Sequence, residues 1–135
     1  MDAFRKLLDS ICERPAMYVG LRSFVDAAHY LAGYCHGLDD ANSELKPLDG
    51  FVRWVEMRFV IFSPAWHWTR ILLHNYGDDT ACFNAFPDLF DQFIADRERL
   101  GVSGIESELK RCLIEKYGQE FGCPEHTRTT TVSER

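Results

Sequence analysis

Apolar residues recur every three or four positions along most of this chain, the spacing that gives an α-helix one buried stripe. Phe4, Leu7, Leu8 and Ile11 predict a first helix over residues 3–13, with Arg5, Lys6, Asp9 and Glu13 on its polar side and Asp2 as a cap. Phe24, Ala28, Leu31, Ala32 and Cys35 predict a second helix over 24–36, with Tyr30, Gly33 and Tyr34 as a second face. Ser23 and Asp26 have capping-box spacing, and Gly37 is placed as a left-handed terminator. Leu48, Phe51, Val52, Val55, Phe59 and Phe62 predict a third helix over 48–62, widened by Trp54 and Ile61, with Pro47 suited to its first turn. The β-branched and aromatic residues at 59–62 make a strand the main rival there.

Ser63-Pro64 reads as a restart, followed by a fourth helix over 64–76 that buries Ala65, Trp68, Ile71, Leu72 and Tyr76 and stops at Gly77. Asp78-Asp79-Thr80 opens a fifth helix, since acids suit the positive end of a helix dipole. Its stripe of Phe83, Phe86, Leu89, Phe90, Phe93 and Ile94 keeps phase across Pro87, so the helix is either kinked or broken there, and it ends near Arg99, ahead of Gly101. Ser103 and Glu106 open a sixth helix that carries Ile105, Leu109, Cys112 and Leu113 and ends at Gly118. The fold expected is all-α: a single-domain bundle of about six helices over residues 1–118, with a polar, threonine-rich tail over 119–135 expected to be flexible.

Between the first two helices lies Arg14-Pro15-Ala16-Met17-Tyr18-Val19-Gly20. Pro15 disfavours helix at Arg14, and Gly20 lets the backbone turn. Met17, Tyr18 and Val19 are too apolar for an ordinary solvated loop, so they are expected to plug one end of the bundle.

With 135 residues, 46% of them hydrophobic, the chain can bury one real core but not two. A net charge of −6 argues against non-specific nucleic-acid binding, which needs a basic face, and is compatible with a basic protein partner. The apolar runs are too short to span a bilayer. The start, Met1-Asp2-Ala3-Phe4-Arg5-Lys6, lacks the charge order of a secretory leader. Cys12, Cys35, Cys82 and Cys112 all fall in predicted helices, as buried thiols do. Together these predict a cytoplasmic protein without a disulfide framework or membrane contact.

No pattern of catalysis emerges. His29 and His36, like His67 and His74, are seven residues apart, two turns and too far for one ion. Cys123-Pro124-Glu125-His126 is half of a zinc pattern, so neither a metal nor any other cofactor is expected. Cys35 adjoins His36, but neighbouring helix residues point apart and make a poor dyad. The paired carboxylates Asp39-Asp40 and Asp78-Asp79 read as solvated. In Trp66-His67-Trp68 the two tryptophans cannot share one core direction on a helix. If Trp68 is buried, Trp66 either anchors a partner or packs under a loop.

Short connections between antiparallel helices would gather Asp2, Asp39, Asp40, Glu44, Asp49, Asp78 and Asp79 at one pole, with only Lys46 nearby. This placement requires the Ser63-Pro64 joint to reverse the chain. Helix caps and solvated loops explain Asp2, Asp78 and Asp79 equally well, and the 39–44 cluster less well.

The segment Arg14–Gly20, then Ser23, Leu31 and Gly33-Tyr34, then Trp68 through Tyr76-Gly77-Asp78 with Phe83, Phe86 and Phe93, resembles small bacterial immunity proteins encoded beside polymorphic toxins, including those delivered by contact-dependent or type VI secretion. The resemblance spans about residues 14–93 and rests on framework residues. It implies a non-catalytic protein that binds one cognate toxin and covers its active site, itself a monomer or weak homo-oligomer when free. The partner-binding residues expected on that reading are Asp39, Asp40, Glu44, Asp49, Trp66, Asp78 and Asp79. A cytoplasmic regulatory or scaffolding module is the alternative.

Overall fold

The computed structural model describes residues 1–62 and 65–118. These form α1 (Asp2–Glu13), α2 (Pro15–Val19), α3 (Phe24–Asp40), α4 (Phe51–Phe59), α5 (Trp68–Tyr76) and α6 (Asp79–Tyr117), with no strand among them. None of these helices is long and apolar enough to cross a membrane.

The all-α expectation holds, and most of the predicted stripe is buried, including Phe4, Leu8 and Ile11 on α1, Phe24 and Leu31 on α3, and Phe83, Phe86, Phe90 and Phe93 on α6, whereas Ala32, Val52 and Ala65, expected to be buried, are exposed. Ser23 caps α3, its hydroxyl accepting from the Asp26 N–H at 3.2 Å, and Asp78 caps α6 by accepting from the Ala81 N–H at 2.8 Å. Aromatic rings dominate the centre. Phe51 lies 5.0 Å from Trp68, 5.1 Å from Phe93 and 5.9 Å from both Trp54 and Phe86, measured between ring centroids. Trp54 is fully buried, and its indole N–H is satisfied by the Asp96 carboxylate at 2.8 Å. Burial opposes ionisation of Asp96, but the bonds from Trp54 and Arg99 outweigh it and hold the carboxyl below its usual range.

Several element boundaries differ from expectation. Asp2 is already helical and Met1 occupies the cap position of α1. The Pro15–Val19 stretch is itself a one-turn helix with Pro15 at its first position, closed by Gly20 in the left-handed region. α3 runs through Gly37 to Asp40, because helical hydrogen bonds continue past a glycine that has no need of positive φ. α4 begins only at Phe51. Its cap is Gly50, with φ of 86°, and an added Cβ there would lie 3.2 Å from Val102. The connector before it is tied down from outside: the Arg97 guanidinium donates to the carbonyls of Lys46, Pro47 and Asp49 at 2.7, 3.3 and 3.0 Å. α4 stops at Val60, a β-branched residue held at φ of 51°, whose carbonyl accepts from Lys116 Nζ at 2.9 Å, so residues 61 and 62 are neither helix nor strand. The expected start of the fourth helix at Ser63-Pro64 lies outside the described residues, and α5 begins at Trp68.

The long α6 passes through Pro87 with helical geometry and is interrupted instead at Gly101, with φ of 75° and ψ of 166°. Here the chain reverses. Before Gly101, Asp96 meets Trp54 and Gln92 meets Arg58, so this half runs antiparallel to α4. After it, Val102 lies against Gly50 and Lys116 reaches Val60, so that half runs parallel to α4. The expected separation into two helices is therefore realised at Gly101 as a helical hairpin.

Candidate functional site

Helix directions decide where the acidic residues fall. α4 descends along α6 from Asp96 towards Gln92, and α5 continues the same way, with Trp68 stacked on Phe86 at 5.6 Å and its end leading into Asp79. α4 and α5 lie side by side and parallel, with Phe51 against Trp68 at one end and Phe59 against Tyr76 at the other, so two successive helices share one direction and the single acidic pole expected from alternating helices does not form. Asp78 and Asp79 lie at the end of the bundle where Arg22 reaches Thr80 at 3.4 Å. Asp39 pairs with Lys46, which adjoins Arg97 at the other end. Asp79 and Arg97, eighteen residues apart on α6, are separated by about 27 Å of helix. Asp2 starts α1, whose Phe4 rests on Phe90 and Tyr34, so it falls on the Arg97 side with Asp39, Asp40, Glu44 and Asp49.

The roles of these acids differ. Asp78 is a helix cap. Asp39 is ion-paired, and the backbone carbonyl of Asp49 belongs to the Arg97 anchor. Asp40 and Glu44 are exposed, and no ion pair holds them among the described residues. Trp66 precedes α5 and is half-buried against the core. Arg70 lies over its ring at 4.7 Å and His74 packs at 5.4 Å, so Trp68, its buried neighbour, takes the core position.

Of the residues expected to plug the bundle, Met17 and Tyr18 are exposed and Val19 is half-buried. Met17 is 74% exposed and Leu21 51%, and Tyr18 packs edge-on against Tyr30 at 5.6 Å. Tyr30 (41% exposed) and Tyr34 (37%) lie one turn apart on α3. Gly33 and Gly37 are exposed on the same helix, and a Cβ added at either would meet nothing within 4 Å. An exposed apolar patch thus joins Tyr18 of α2 to Tyr30 of α3, with Tyr34 one turn further along the helix that ends at Asp40. Pro15 is the buried residue of α2 and Val19, one turn on, is half-buried, while Met17, two positions from Pro15, lies on the opposite side of this short helix.

No family model, no curated protein and no solved structure matches this chain.

The thiols and imidazoles are placed differently from the surface above. Burial pushes the Cys12 thiol up to about 12 and that of Cys82 up to about 11, so both are unreactive as nucleophiles near neutrality. Among the described residues, no three or more of His, Cys, Asp and Glu are grouped to hold a metal ion. The fold brings together a histidine pair that sequence spacing could not reveal: His29 of α3 and His67, with ring centroids 6.1 Å apart. His67 caps α5, its Nδ1 accepting from the Thr69 N–H at 3.3 Å. Burial, and then the charge of His29, lower the pKa of His67 below its usual value.

A histidine with a depressed folded pKa is bound by more protons in the unfolded chain. Stability from His67 is therefore full above the unfolded value of about 6.5 and declines as pH falls through it. Urea denaturation at pH 7.5 and 5.5 should show this decline. His67→Asn, which retains a capping oxygen without titrating, should make the two midpoints more alike. An unchanged difference would assign the pH dependence to other groups.

Proposed function

We propose that this protein is an immunity protein that binds and neutralises a cognate bacterial toxin by covering its active site. The observation that carries the reading is the surface along α2 and α3, where Met17, Leu21, Tyr30 and Tyr34 are exposed and α3 ends at Asp40, with Glu44 beyond it. Exposed apolar residues grouped on one face mark an interaction surface, and aromatic anchors with a charged border give affinity and fast encounter respectively. Of the residues that carry the resemblance, Met17, Tyr18 and Gly33-Tyr34 fall on this face, while Leu31, Trp68, Phe83, Phe86 and Phe93 lie in the core. A toxin that acts on nucleic acids or nucleotides presents a basic cleft, which an acidic border would enter in place of substrate.

The direct test is co-expression with the product of the gene immediately upstream. A stoichiometric complex, together with toxicity of that gene alone, is expected. A harmless, non-binding neighbour would remove the toxin reading and favour a scaffolding module.

The acidic border makes a separate kinetic prediction. Asp39→Asn, Asp40→Asn and Glu44→Gln together should slow association with the toxin about tenfold or more at low salt and flatten its salt dependence. Stopped-flow rates that match the parent protein at every salt concentration would exclude electrostatic steering from this end.

A further inference from the structure

His29 of α3 and His67, the cap of α5, place two imidazoles side by side, with ring centroids 6.1 Å apart and planes at 74°. Both side chains are exposed, and neither is ion-paired to a carboxylate among the described residues. His67 is held from behind. Its Nδ1 lies 3.0 Å from the hydroxyl oxygen of Thr69, a residue only 3% exposed, while the contact of the same nitrogen with the Thr69 N–H is longer, at 3.3 Å. A neutral imidazole carries one proton, so a proton on Nδ1, donated to the Thr69 hydroxyl, leaves the lone pair on Nε2. A ring fixed through one nitrogen by an acceptor of its own protein, with the other nitrogen free, is the arrangement of a metal-ligating histidine. Partial burial, and then the charge of His29, hold His67 below its usual pKa, so the ring is unprotonated at neutral pH and able to coordinate.

We propose that His29 and His67 form a two-histidine site for a zinc ion, bound through Nε2 of each ring, with water in the remaining positions. Zinc takes imidazole nitrogen at about 2 Å in tetrahedral geometry, which sets two ligating rings about 5 Å apart between centroids. The 6.1 Å separation therefore asks for an approach of about 1 Å, which rotation of the exposed His29 side chain supplies. Imidazole suits zinc and its transition-metal neighbours, whereas magnesium and calcium prefer oxygen ligands and are not expected here. Within one helix, His29 and His36, or His67 and His74, stand two turns apart and cannot share an ion. The fold instead takes one histidine from each pair. An ion held between them ties α3 to the start of α5, and an ion that binds only the folded chain stabilises it. The site does not depend on the toxin-binding function proposed above.

The test is calorimetric titration of the full chain with zinc chloride near neutral pH, in buffer that does not chelate. Cys123 and His126 are zinc-type ligands as well, so the titration uses the chain carrying Cys123→Ser and His126→Ala. One zinc ion should bind. His29→Ala, which removes no helix cap, should weaken binding by about tenfold or more. Zinc should raise the melting temperature of the parent and leave that of His29→Ala unmoved, and magnesium chloride should do neither. Long-range proton–nitrogen spectra of the imidazoles should show the His29 and His67 signals shifting on zinc addition, with the proton of His67 on Nδ1, and those of His36 and His74 unmoved. Zinc affinity equal in the parent and in His29→Ala, no binding at millimolar zinc, or shifts at His36 and His74 in place of the pair would each overturn the proposal. Co-expression with the upstream gene product reads toxin binding separately, so either reading can fail without the other.

Discussion

Replacing Phe51 with alanine is expected to destabilise the protein by about 3–5 kcal/mol, the range for truncating a fully buried phenylalanine. Phe51 is the first residue of α4, and its ring touches those of Trp54, Trp68, Phe86 and Phe93, so one side chain joins α4 to α5 and to both turns of α6 that face it. The cavity left behind would be lined by rigid rings held in edge-to-face contact, which cannot collapse as flexible aliphatic chains do. Domains of this kind are stable by about 5–15 kcal/mol, so this loss is a large share of the total. Urea denaturation should therefore give a much lower midpoint. Val52→Ala, one position along and exposed, is the control, and it should stay within about 0.5 kcal/mol of the parent. A Phe51→Ala midpoint close to that of the parent would mean that the aromatic centre is not cooperative across α4, α5 and α6.

The second large effect is expected at Gly101. Its φ of 75° and ψ of 166° lie in a region that is nearly restricted to glycine. Gly101→Ala should cost about 1–3 kcal/mol through the backbone alone, because nothing lies within 4 Å of an ideal Cβ and no steric contact adds to it. The consequence is local before it is global. The half of α6 after Gly101 is held to the rest through Ile105, Leu109 and Leu113, and through Lys116 to the Val60 carbonyl. If the reversal is strained, these contacts are lost together. Amide hydrogen exchange over residues 102–117 should accelerate well beyond that of residues 79–100. Uniform exchange along both halves would show that the hairpin and the first half open as one unit, and an unchanged midpoint would show that Gly101 is not what permits the reversal.

The cap residues and buried stripes were legible in the chain because both depend on neighbours three or four positions away. Ser23, Asp78, the apolar faces of α1 and α3 and the interruption before Ser103 all follow from local backbone chemistry. The extent of α3 was not legible. Glycine is weakly unfavourable in a helix but does not end one, and the hydrogen bonds through Gly37 carry the helix on to Asp40. The start of α4 was misread for a different reason: Pro47 suits a first turn, yet Arg97, fifty residues later, holds the connector carbonyls and leaves Gly50 to open the helix.

The candidate surface divides in the same way. Its parts were visible, with Tyr30, Gly33 and Tyr34 reading as a separate face and Asp40 and Glu44 as an acidic cluster. That Tyr30 meets Tyr18 of α2 was not visible, because the connector looked apolar enough to be buried. By itself, the sequence determined that this protein is all-α, which residues line most of the inner stripes, and where α3 and α6 begin. Only the tertiary structure decided that α4 and α5 lie side by side and parallel, that the acids divide between two ends, that Met17 and Tyr18 of α2 face solvent, and that His29 meets His67. Periodicity records which side of a helix leaves water, since burial is a property of each side chain in turn. It does not record the direction in which a helix runs, which depends on how whole faces fit against one another.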